Sequence, residues 1–136
     1  MASPNLERLA REGELQRVTG APPEIRRLMD RAAGLLLDSK RQSLATESRV
    51  SLVCEAAFAI ASAALARRGY RTINRDLAFQ CLEHTAGSPP AELAVLAMLL
   101  QRYRRAERDG SAEAEDIALV ENAGRIVTLL IERVSR

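Results

Sequence analysis

Arg49 to Gly69 reads RVSLVCEAAFAIASAALARRG. The segment is apolar on nearly every side, rich in alanine and closed by a glycine. A helix that is hydrophobic all round is buried on all sides. Ser51, Glu55 and Ser62 interrupt it, and it reads as too short and too broken for a membrane span, which needs about 20 mainly apolar residues. It is expected to be the central rod of a helical bundle, with small side chains that let neighbouring helices approach closely.

The rest of the chain fits that expectation. A length of 136 residues suits one domain. Hydrophobic residues make up 47% and charged residues 28%, enough to bury a core and present a polar surface. Aromatic residues are only 3%, so the core is Leu, Ile, Val and Ala, and base stacking on aromatic platforms has little to use. The net charge of +2 is small for a strong nucleic-acid binder. Its positive part is almost all arginine, clustered at Arg26-Arg27-Arg31, Arg67-Arg68-Arg71-Arg75 and Arg102-Arg104-Arg105-Arg108. The ordinary reading of such clusters is a solvated helix face.

Helix punctuation is frequent, while strand patterns and Asn-Gly hairpins are missing. Ser3-Pro4 opens a short helix bearing Leu6, Leu9 and Ala10, which stops near Gly13. Leu15 and Val18 anchor a connector. Residues 1–22 thus form a helical arm and connector, and 23–136 the bundle. Pro22-Pro23 starts a helix running to about Gln42, with Ile25, Leu28, Met29, Ala32, Leu35 and Leu36 on one face. Ser43 or Thr46 is expected to cap the central rod, and Gly69 to end it. Asn74 caps a helix over 75–86 that Gly87 closes, and Ser88-Pro89-Pro90 begins another that ends before Gly110. Ser111 caps the last helix, whose first turns carry Glu113, Glu115 and Asp116. Ile117, Val120, Gly124, Val127, Ile131 and Val134 form a seam along it. The fold expected is all-α: an antiparallel bundle of four long helices plus short ones.

Chemistry-bearing residues are sparse. His84 is the lone histidine, so His-based triads and metal sites are not expected, and it reads as a helix-end residue favoured by the dipole. No phosphate loop, GxSxG or HExxH occurs, and no metal or cofactor is expected. Cys54 and Cys81 are isolated thiols that pack as small hydrophobes. The N-terminal MASPNLERLAREGEL lacks an apolar core, so no secretory signal is read, and the expected location is the cytoplasm of a bacterium-like cell. The stretch QRYRRAERDG, 101–110, remains. Arg102 and Arg105 are three apart on one face and, with Glu107, are expected to reach solvent or a partner. Arginines there clamp phosphates bidentately or, more blandly, form a charged helix end.

Four segments in order, LERLAREGELQRV (6–18), VCEAAFAIASAALARRGYRT (53–72), FQCLEHTAG (79–87) and YRRAER (103–108), resemble bacterial HEPN-domain proteins. These are small helical bundles often paired with minimal nucleotidyltransferases in toxin–antitoxin or defence systems. Many active members carry an arginine, then a polar residue, and a histidine four to six residues on, and two protomers form an RNA-cleaving site. By that resemblance Tyr103 stands at the motif arginine, Arg104 at the polar position, and Arg108 at the histidine. A register starting at Arg102 ends on Glu107 or Arg108. Asn74-Arg75 stand where relatives often have Gly-His. The resemblance therefore implies a binding or assembly module, a homodimer without the usual nuclease motif. It would bind RNA, a nucleotide or a nucleotidyltransferase-like protein through Arg102, Arg104, Arg105, Arg108 and Arg75, with Glu107, His84 and Tyr103 as secondary candidates. An active RNase toxin and a structural oligomerisation domain are the competing readings.

Overall fold

The computed structural model describes residues 4–105 and 113–136. Helix α1 spans Pro4–Arg11, strand β1 Gln16–Arg17, α2 Pro22–Ser39 and α3 Thr46–Arg67. Strand β2, Tyr70–Arg71, precedes α4 (Arg75–Gln80), α5 (Leu82–Thr85), α6 (Pro90–Arg104) and α7 (Glu113–Ser135). The chain is an all-α bundle in which α2, α3, α6 and α7 are the long helices.

The rod is α3. Val53, Cys54, Ala57, Ile60, Ala61 and Leu65 are buried along its length, and α2, α6, α7 and α4 all pack on it. Alanine makes this possible, since small side chains let several helices reach one axis without loss of packing density. By length and composition α3 is long and apolar enough to cross a bilayer, against the expectation that it is too short and interrupted, and 67% of its apolar window is buried inside the protein. Its apolarity is thus spent on the bundle core.

The seam on α7 is used within the chain. Val120, Val127 and Val134 are buried, and Gly124 faces the side chain of Leu36 on α2. The arm joins the same core through Leu6 and Leu15, both buried, with Val18 half-buried behind them.

Several local expectations are corrected. Helix α2 ends at Ser39, where the Ser39 hydroxyl turns back to donate to the Leu36 carbonyl at 2.6 Å. Neither Ser43 nor Thr46 caps α3: Ala45 is the N-cap, and the Thr46 hydroxyl instead donates to Glu113 at 3.0 Å, tying α3 to α7. The helix over 75–86 divides at Cys81. A two-residue antiparallel ladder pairs Gln16 with Arg71 and Arg17 with Tyr70. It forms because the arm runs back over the C-terminus of α3: Gly69, at φ +87°, turns the chain after α3, and its carbonyl accepts the Val18 N–H at 2.9 Å. At Gly20, φ +65°, the crossing is so close that a Cβ would lie 2.2 Å from the Ala66 carbonyl oxygen. Ser3, Gly110 and Ser111 lie outside the described residues.

Candidate functional site

Arg75 opens α4, and its place is set by a local device. The Asn74 side chain accepts the Leu77 N–H at 3.2 Å, the capping bond that Asn supplies at a helix start. From there the Arg75 side chain lies between two rings, its guanidinium carbon 4.6 Å from the Phe58 centroid on α3 and 5.1 Å from that of Tyr103 on α6. Cation–π attraction holds a guanidinium at such distances. Its Nη2 donates to Glu55 Oε2 at 3.0 Å, and the Tyr103 hydroxyl donates to the same oxygen at 3.1 Å.

Two further arginines flank this centre. Arg31 of α2 lies 3.9 Å from Glu55 Oε1, and Arg104 pairs with Asp76 at 2.9 Å. Both are more than half exposed, at 58% and 53%, so each can exchange its carboxylate for an incoming anion with little desolvation. Three guanidinium groups thus stand against two carboxylates on the face where α2, α3, α4 and α6 meet. Burial pushes the Tyr103 hydroxyl above its ordinary pKa, and its bond to Glu55 adds to that. The hydroxyl therefore stays protonated as a donor. Burial also pushes the Cys54 thiol up to about 11, although the Arg75 charge beside it acts the other way.

Of the sequence candidates, the structure brings Arg75, Tyr103 and Arg104 together. Arg102 is corrected: it does not reach solvent. It is 3% exposed, its Nε lies 3.0 Å from Asp116, and its Nη2 bonds Glu47. Burial works against its charge, and these two carboxylates more than compensate. Arg102 is an internal tie between α6, α3 and α7. Arg105 is exposed at the end of α6, where its N–H donates to the Arg102 carbonyl at 3.2 Å. His84 is elsewhere, half-buried, 3.3 Å from both Asn5 and Glu83. Arg108 and Glu107 lie outside the described residues. Among the described residues no group of His, Cys, Asp and Glu is placed to hold a metal ion.

Asp76 and Phe58 carry no site signal in the sequence, and Glu55 and Arg31, read there as an interruption of the central helix and as part of an arginine cluster, are not among the expected site residues. Glu55 carries a visible signal: it is a lone carboxylate in the middle of an apolar helix, and such a residue requires a cationic partner from a neighbour. Comparison with known proteins finds no matching family model, curated protein or solved structure.

Proposed function

We propose that this chain is a HEPN-like binding module that holds a phosphate-bearing ligand, single-stranded RNA foremost, on the face around Arg31, Arg75 and Arg104. The observation that carries the reading is the Arg75 stack. Two of the chain's few aromatic rings and Glu55 fix one guanidinium, while two exposed guanidiniums stand beside it. Such forks suit phosphate oxygens, which accept two parallel N–H bonds. The same observation favours binding over cleavage. Glu55 Oε2 already accepts from both Arg75 and Tyr103, so this carboxylate is built into the stack that holds the guanidinium. A homodimer in the cytoplasm would present two such faces, and exposed Met98 and Leu129 on α6 and α7 supply apolar surface for that contact.

The test is fluorescence anisotropy with labelled single-stranded RNA over a range of salt, on wild type and on Arg31→Ala/Arg104→Ala. Each phosphate contact contributes about 0.7 to the log–log slope on single strands, so the double variant is expected to flatten the slope by about 1.4. The RNA is expected to remain intact. Salt-independent binding, or none, would remove the RNA reading and leave a protein partner of nucleotidyltransferase type. Cleavage lost in Glu55→Gln would restore the nuclease.

A further inference from the structure

The segment that straps α3 also walls a cleft, which shares Phe58 with the Arg75 face. The cleft measures ≈ 510 Å³. Ligand pockets run from about 300 to 1,000 Å³ and are mostly apolar with a few placed polar groups. One wall is the strap from Val18 to Ala21, another is α2 with Leu28, and the floor is α3 with Phe58, Ser62 and Ala66. The turn from Tyr70 to Ile73 closes the far side.

The walls are fixed before any ligand arrives. Tyr70 is anchored by its hydroxyl bond to Glu7, the β1–β2 ladder pins the strap, and Gly20 lies against the Ala66 carbonyl. A preformed wall spares a ligand the cost of ordering it.

Charge selects the occupant. Glu24 at the rim is neutralised by Arg27, one helical turn on, and Glu7 by Arg17. Arg71, which lines the cleft, has no ion pair or side-chain hydrogen bond among the described residues. The cleft is therefore an apolar slot with one uncompensated cation at its edge and the Ser62 hydroxyl in its floor. Ile73, 85% exposed, stands at the mouth, where an apolar ligand would cover it.

We infer that this cleft binds a small amphipathic monoanion, an aryl or medium-chain carboxylate or sulfonate, with its apolar body on Phe58 and Leu28 and its head on Arg71. Phe58 is common to both surfaces, but Arg71 and Ser62 take no part in the Arg75 face, so their variants read the cleft and not the RNA reading.

The probe is anilinonaphthalene sulfonate, followed by fluorescence on the folded full chain and displaced by decanoate or decanol. Saturable one-to-one binding is expected, with decanoate displacing the probe at least about tenfold better than decanol, as a charge-assisted bond to arginine requires. Arg71→Glu should weaken the probe by about tenfold or more, and Ser62→Phe, which fills the floor, should abolish binding. Exposed Arg11→Glu is the charge control and should change nothing. Circular dichroism checks folding. If Ser62→Phe unfolds the chain, Arg71→Glu, on an exposed strand position, keeps the test decisive. No saturable binding, equal displacement by decanol, or indifference to Arg71→Glu would each overturn the inference.

Discussion

The guanidinium of Arg75 lies 4.6 Å from the ring centroid of Phe58, two residues on different helices that a sequence scan reads as a charge cluster and a core apolar residue. Removing the arginine leaves Glu55, 28% exposed, without its closest cation and Tyr103 without its stacking partner. Arg75→Ala is expected to destabilise the fold by about 1–3 kcal/mol, the cost of an orphaned, partly buried polar group. Arg75→Lys should recover only part of this, because an ammonium cannot lie flat between two rings. Urea denaturation followed by circular dichroism measures both.

Arg102 and Asp116 form a buried pair. Arg102→Met alone removes the buried cation that faces both Asp116 and Glu47 and is expected to cost about 3–5 kcal/mol. Arg102→Met/Asp116→Leu removes both charges and should regain much of that loss. Equal destabilisation by single and double variants would show that the two residues do not act as a pair.

Glu92 receives two hydrogen bonds from Arg133, at 2.7 and 3.0 Å, and these hold its carboxyl below the ordinary value of 4.5. The Tyr70 hydroxyl and then Arg17 lower Glu7 in the same way. A carboxyl depressed in the folded state stabilises fully above its unfolded pKa, and that contribution is lost as pH falls through the folded one. The part of the stability that Glu92 contributes should therefore be lost as pH falls below about 4.5. Glu92→Gln should be less stable at pH 7 by about 1–3 kcal/mol and lose less on acidification. Urea midpoints across pH check this.

Burial pushes both Cys54 and Cys81 up to about 11. Thiolate is the reactive form, so neither should react with an aromatic disulfide reagent at pH 8 in the folded protein. Both should react at once in guanidinium chloride. Rapid labelling of either in the native state would contradict its burial.

Ala57 and Ala61 are fully buried on α3. Replacing either by Leu should destabilise by about 1–3 kcal/mol through overpacking. Thermal melts of the two variants measure it, and tolerance of both would mean that the rod has slack.

The fold was legible because its signals are local and periodic. An all-round apolar helix and a repeating seam on α7 are both stated by spacing, and Asn74 announces the start of α4. The arm's ladder was hidden, since two paired residues make no alternating pattern and depend on where α3 happens to end. The site was half legible. Arg75, Tyr103 and Arg104 could be named as residue types, but Glu55 and Phe58 become their partners only when α3 is placed against α4 and α6. Arg102 was misplaced because a run of arginines looks uniformly wet. A finer signal was present: Arg102 follows buried Leu99 by three residues, and Asp116 precedes buried Val120 by four. Opposite charges on two apolar faces point inward, toward each other.

Arg67, at the end of α3, donates to the carbonyl of Val134 and, at 3.0 Å, to that of Arg136. The last carbonyls of a helix have no backbone partner within it, so Arg67, from the most buried helix of the bundle, caps the end of α7, while Ser135 closes on the Ile131 carbonyl within the same turn. Fraying there requires that cap to let go. Amide protons near residue 131 should then exchange with solvent at the slow rate of the core, and Arg67→Ala should speed that turn alone while the middle of α7 keeps its protection.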